Sequence, residues 1–207
     1  QHYYAEEFST MTSRYKYLVS LLNSEGVTPE TAASNRNYLY PISAEGYTDD
    51  SQYWIDKSHE ILAGHENDNA STKALLLHDW MTSNLKYDYY KVNVLVQSRY
   101  IVNGLDPSQY VSQNYTGVCL DFSQIYTIMC RENGVPCVVL NNDSHAWNAI
   151  YLGSKWYEVD LTVDTNRLVY GEDTNDVEGA DNLYCYDGFC APMVNDSVPD
   201  TATRFNW

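Results

Sequence analysis

Apolar residues recur every three or four positions in several stretches of this chain and alternate with polar ones in others. Phe8, Met11, Tyr15, Leu18, Leu21 and Leu22 form one stripe and predict a helix over 3–24, stopped by Gly26. Residues 27–49 are polar, contain Pro29, Pro41 and Gly46, and read as an ordered loop lying over the core. Ser51 is placed to cap a second helix that runs through Ile61 and Leu62 and stops near Gly64. A third is predicted from about Ser71 to Lys86, with Leu75, Leu76, Trp80 and Leu85 inward. From Cys119 to Arg131 the apolar residues Phe122, Ile125, Tyr126 and Met129 again keep helical spacing. Asn133-Gly134 supplies the stop and Pro136 bars continuation.

Residues 145–152 and 155–162 read instead as strands. Gly153-Ser154 between them is a two-residue loop with glycine first, which suits a type II′ hairpin turn. That loop pairs Leu152 with Lys155, so Trp147 stands opposite Asp160 and His145 opposite Thr162. Side chains alternate faces, which puts His145, Trp147, Asp160 and Thr162 on one side. Residues 165–207, rich in Asp, Asn and Gly, read as solvated loop. The expected class is α+β, with helices packed on an antiparallel sheet. It forms one domain with a helical N-terminal portion (1–66), a core (67–165) and a loop-rich C-terminal portion (166–207).

The chemistry gathers on the last helix and the hairpin. Cys119 falls in the first helical turn, where unpaired backbone N–H groups and the positive dipole end favour a thiolate. Asp121 opposes that by like-charge repulsion, so a positive partner is needed. His145 and Asp160 are diagonal neighbours across the hairpin, within reach of their side chains. An imidazole donating Nδ1–H to Asp160 leaves Nε2 for the thiol of Cys119. Cysteine, histidine and aspartate in this layout suit a thiol nucleophile with a base and an orienting acid.

Composition narrows the field. The 207 residues suit one domain, 44% hydrophobic content argues against disorder, and a net charge of −16 disfavours nucleic acid and anionic membranes. No apolar run reaches the roughly 18 residues of a membrane span. The chain opens at Gln1 without a basic and apolar leader, so a signal segment is expected to be absent or removed, consistent with an extracellular or cell-surface protein. His78 lacks a second ligand one turn on, where Thr82 stands, and His59-Glu60 is followed by Ala63 where a zinc helix wants histidine. The acidic C-terminal stretch lacks the ordered oxygens and central glycine of an EF-hand. No metal or cofactor is therefore assigned. Cys130, Cys137, Cys185 and Cys190 supply two disulfides in an oxidising compartment, with Cys185–Cys190 the better-placed pair; Cys130 and Cys137 serve equally as buried thiols.

The run Gly117-Val118-Cys119-Leu120-Asp121-Phe122-Ser123, the run His145-Ala146-Trp147-Asn148 and the run Trp156-Tyr157-Glu158-Val159-Asp160-Leu161-Thr162 resemble the bacterial branch of the transglutaminase-like superfamily. Leu77-His78-Asp79-Trp80-Met81, followed by Leu85-Lys86-Tyr87-Asp88, is similar to the helix that precedes the core in that branch. The resemblance implies a papain-like α+β core over about 70–165, with Cys119, His145 and Asp160 as its triad. It implies acyl transfer on peptide or protein amides, cell-wall peptides among them, through a thioester on Cys119. Water would resolve the thioester in a peptidase or amidase, and an amine in a transglutaminase. A non-catalytic binding or structural module on the cell surface is the alternative. Gln113, six residues before Cys119, has the offset of the oxyanion-hole glutamine of papain-like enzymes. Trp147 either walls the site or simply packs. Residues 90–115 match the family poorly and are where a substrate wall is expected. The chain is expected to act as a monomer.

Overall fold

A helix with no solvent-facing side stands at the centre of this molecule. α6 (Cys119–Glu132) is buried continuously from Asp121 to Arg131, which requires packing on all sides. A computed structural model describes residues 16, 18–34, 47–89, 111–141, 145–162, 164–165 and 204–206. In chain order these form α1 (18–24), α2 (Pro29–Ser34), α3 (Tyr47–Ile61), α4 (Ala70–Asn84), β1 (Lys86–Tyr87) and α5 (Val111–Asn114). They continue with β2 (Thr116–Gly117), α6, β3 (Cys137–Asn141), β4 (Ala146–Leu152), β5 (Lys155–Val159) and β6 (Arg204–Asn206). The fold is α+β. An antiparallel sheet in the order β5-β4-β3-β6 carries the hairpin, and a small parallel pair joins β1 to β2.

The sheet is clothed on both faces. On one, Phe122, Ile125, Ile128 and Met129 of α6 pack with Ile150, Leu152 and Val159, and with Trp54, Leu77 and Met81 from α3 and α4. On the other, Val138, Leu140, Trp147, Ala149 and Trp156 meet Leu18, Leu22, Val27 and Ala32. Several polar residues of α6 have partners close by. Thr127 Oγ1 donates to Ser123 O at 2.8 Å, and Arg131 Nε donates to Cys137 O at 2.8 Å. Tyr126 OH donates to Ala74 O at 2.9 Å, tying α6 to α4.

Several expectations change. Residues 27–49 are not one loop, because α2 begins at Pro29 and α3 already at Tyr47. The N–H of Thr31 donates to Thr28 Oγ1 at 3.2 Å and the N–H of Thr28 to Thr31 Oγ1 at 2.9 Å, a reciprocal cap that starts α2. Ser51 lies within α3 rather than capping it, while the stop near Gly64 stands, with φ at +83°. α4 is capped by Asn69, whose side chain accepts from the N–H of Thr72 at 2.9 Å. It buries Ala74, Leu77, His78, Met81 and Thr82, whereas Leu75, Leu76 and Trp80 are only half-buried. Two polar residues thus sit in its inward stripe. Arg204–Asn206, expected as loop, pairs with β3 as an edge strand. The N-terminal part of the first helical stripe, the acidic C-terminal stretch, Cys185 and Cys190 lie outside the described residues.

The hairpin keeps the register its loop dictates, from Leu152↔Lys155 to Asn148↔Val159. Gly153 takes φ +64°, as the first central residue of a type II′ turn must. The ladder then stops. Asp160 leaves the strand and its carbonyl accepts the N–H of Asp164 at 3.2 Å, so the expected pairing of Thr162 with His145 does not form. Beyond the sheet, the Asp164 carboxylate meets the His78 ring at 2.8 Å, which ties this turn to α4.

Candidate active site

The approach to Cys119 is set by close packing. Tyr115, in the left-handed region at φ 57°, turns the chain out of α5 into β2. There Lys86 N–H donates to Tyr115 O at 2.9 Å and Asp88 N–H to Gly117 O at 2.8 Å. A Cβ at Gly117 would lie 3.0 Å from Val111 Cγ2 and 3.1 Å from Asp121 Oδ2, so only glycine fits without a shift. Asp121 bends back so that its Oδ2 accepts the N–H of Val118 at 2.9 Å. The carboxylate expected to repel a thiolate is therefore engaged with the start of the helix. Cys119, half-buried, is the first residue of α6.

His145 stands just before β4 and Asp160 just after β5, and their side chains meet. The ring presents Nε2, not Nδ1, to Asp160 Oδ2, which reverses the expected assignment of the two nitrogens. Nδ1 is left available to the thiol. His145 is also hydrogen-bonded to Cys119, so sulfur, imidazole and carboxylate converge in one place. Burial pushes the imidazole toward its neutral form. The hydrogen bonds and charges of Asp160 and Cys119 outweigh that, and its pKa rises from 6.5 to about 10.

Trp147 is 1% exposed and lies nearly parallel to the His145 ring, with centroids 5.6 Å apart and planes at 12°. Its Nε1–H donates to Glu158 Oε1 at 2.9 Å. It is a packed residue that backs the imidazole rather than an open wall. Gln113 is exposed on α5, in contrast to the buried groups around His145.

Sequence reasoning missed three contributors. Tyr87 on β1 has its hydroxyl held protonated, above all by burial and then by the charges of Cys119, Tyr89, Asp121 and Asp160 around it. Asn148, next but one to Trp147, donates through Nδ2 to Ser123 O and Thr127 Oγ1, both at 2.9 Å, joining β4 to α6. His78 pairs with Asp164, four residues beyond Asp160. Tyr87 and Asn148 lay inside recognised runs, but nothing in their spacing assigned them a task. Cys130 and Cys137 are fully buried free thiols. Among the described residues no group of His, Cys, Asp and Glu is arranged to hold a metal ion.

This site and fold define a thiol-centred α+β domain, and the chain belongs to the transglutaminase-like superfamily, whose family model matches residues 55–161, just over half its length. Comparison with curated proteins finds no match. Among solved structures it is similar to a proposed cysteine protease from Cytophaga hutchinsonii at 20% identity and TM-score 0.41, covering 61% of this chain and 41% of that one. It is similar to a structure described as a TGase at 23% identity and TM-score 0.42, covering 61% of this chain and 35% of that one. A proposed protease from Parabacteroides distasonis ATCC 8503 matches at 12% identity and TM-score 0.36, over 65% of this chain and 29% of that one. The chain thus matches less than half the length of each of these structures.

Proposed function

We propose that this protein transfers acyl groups from peptide or protein amides through a thioester on Cys119, as a cysteine hydrolase or a transglutaminase. The observation that carries the reading is the hydrogen-bonded convergence of Cys119, His145 and Asp160, with His145 holding its proton through neutral pH. The proton that His145 holds at Nδ1 is the one given up by the Cys119 thiol, and the sulfur attacks the amide carbonyl. The N–H of Cys119, at the open end of α6, is placed to hold the tetrahedral oxyanion. Collapse breaks the C–N bond, the imidazolium gives its proton to the departing amine, and the acyl group stays on sulfur. Water or an amine, deprotonated by the now neutral His145, then attacks the thioester; the C–S bond breaks, the acid or new amide leaves, and sulfur and protonated ring are restored. Asp160 keeps the ring oriented and stabilises its charge at each protonation.

Intact-mass spectrometry after incubation with glutamine peptides, with and without an amine donor, tests this. A covalent acyl adduct on Cys119 is expected, lost in Cys119→Ala. Ammonia release coupled to amine incorporation identifies the transglutaminase, and release of free acid the hydrolase. If Cys119 reacts with iodoacetamide no faster than the buried Cys130 and Cys137, the protein is a binding module that keeps the fold without turnover.

A further inference from the structure

The triad's acid hangs on a turn, not on a strand. β5 ends at Val159, and nothing in the ladder fixes Asp160 beyond it. Among the described residues, Leu161, buried in the core, and Asp164, whose N–H closes onto Asp160 O at 3.2 Å, help to hold the turn. The Asp164 carboxylate in turn meets Nε2 of His78 at 2.8 Å, deep inside α4 where His78 is 1% exposed. The other ring nitrogen of His78 faces Asp79 Oδ1 at 3.0 Å.

We propose that His78, clamped between Asp79 and Asp164, is a positioning residue that sets the Asp160 turn and thereby the His145 ring over Cys119. The proposal rests on the reading of those three residues as a triad. A neutral imidazole has one N–H and can serve one carboxylate, so two carboxylate partners call for the doubly protonated ring. Burial opposes that charge, but the hydrogen bonds and charges of Asp164 and Asp79 prevail and raise the pKa. Among the described residues, Asp79 on the same helix and Asp164 on the turn are charged groups that face it. A buried cation of this kind is costly unless fully paired, and an uncharged residue would pack α4 as well. What the cation supplies is direction. A charge-assisted hydrogen bond fixes the turn to within a fraction of an ångström, whereas burial of Leu161 alone is non-directional. Catalytic groups need about 0.5 Å of accuracy, and a misplacement of about 1 Å costs about a hundredfold in rate.

The test compares His78→Gln with His78→Asn. The Gln amide reaches the place of the ring Nε2 and still donates to Asp164, while the Asn amide reaches only the place of Nδ1. Long-range proton–nitrogen NMR of the histidine side chains reads the titration of His145, and iodoacetamide alkylation at pH 7 reads Cys119. In the wild type His145 is expected to titrate near 10. With His78→Asn its midpoint falls by about one pH unit or more, and alkylation slows about tenfold. His78→Gln stays close to the wild type in both. Asp164→Ala cuts the same bond from its other end and takes the place of His78→Asn should that variant not fold. Equal His145 midpoints in the Gln and Asn variants, beside a wild type near 10, overturn the positioning role alone. A wild-type His145 that titrates near 6.5 brings down the triad reading and this inference together.

Discussion

Asp160→Asn separates the charge of the acid from its shape. The wild-type His145 ring is preferred in its charged form by the rise from 6.5 to about 10, equivalent to about 5 kcal/mol. The side chain is 15% exposed, so solvent screening takes little of this, but Cys119 shares the effect with Asp160. The portion lost with the Asp160 charge is about 2–3 kcal/mol. Its sign is fixed by linkage. A pKa raised on folding contributes stability that is complete below 6.5 and disappears as pH rises through about 10. Urea unfolding of the wild type should therefore weaken between those limits, and the Asn variant should show a flatter profile with a lower ceiling on the acid side. His78 is raised in the same direction but is present in both proteins, so the difference between the two profiles isolates His145. Acyl-adduct formation should fall by about a hundredfold to ten-thousandfold, because the amide neither stabilises the imidazolium nor fixes its tautomer. The reasoning is refuted if the two proteins lose stability in parallel from pH 6.5 to 10 and form the adduct at equal rates.

Trp147→Ala removes a fully buried ring that backs His145 and should cost about 3–5 kcal/mol in urea unfolding, whereas Trp147→Phe keeps the stacked face and should lose about 1–2. Gly117→Ala puts a methyl 3.0 Å from Val111 and 3.1 Å from Asp121, opening the contact between Asp121 and the Val118 N–H. Thermal unfolding should report a loss of about 1–3 kcal/mol, with slower alkylation of Cys119. Asn148→Ala removes two buried hydrogen bonds between β4 and α6, and should destabilise by about 2–3 kcal/mol in the same measurement.

Local signals decided what could be read from the sequence. The helix from Cys119 and the hairpin register were legible because spacing and a two-residue loop fix them without help from distant residues. The turn after Val159 was not, because its tie to α4 is a contact between Asp164 and His78, 86 residues apart in sequence. On α4 the expected Leu85 is buried and Leu75, Leu76 and Trp80 pack half-buried against the core, but the most buried stripe runs through Ala74, Leu77, His78, Met81 and Thr82. A stripe drawn through apolar positions skips His78 and Thr82, which are buried because Asp164 satisfies the ring and the Thr82 hydroxyl donates to His78 O at 3.0 Å. β6 carries no alternation over three residues and forms because β3 offers it an edge. Cysteine, histidine and aspartate were recognisable as types in order. Which ring nitrogen faces the acid was not, since residue types and hairpin register do not set the ring's orientation.

Each corner of the site is thereby fixed by a buried polar contact as well as by apolar packing. Cys119 takes its place from α6, whose first turn is held by Asp121 on the Val118 N–H. His145 precedes β4, and β4 is tied to α6 through the Asn148 amide at Ser123 and Thr127, one to two turns beyond the cysteine. Asp160 follows β5, and its turn is tied to α4 through Asp164 and His78. Apolar burial on both sides of the sheet supplies the stability, but it tolerates sliding, because it depends on area and not on angle. Hydrogen bonds fail beyond a few tenths of an ångström and a few tens of degrees. A pocket in which sulfur, ring and carboxylate must meet across separate elements therefore needs directional ties between those elements. The buried Asn148 and His78, costly in a plain core, are placed where such ties are required.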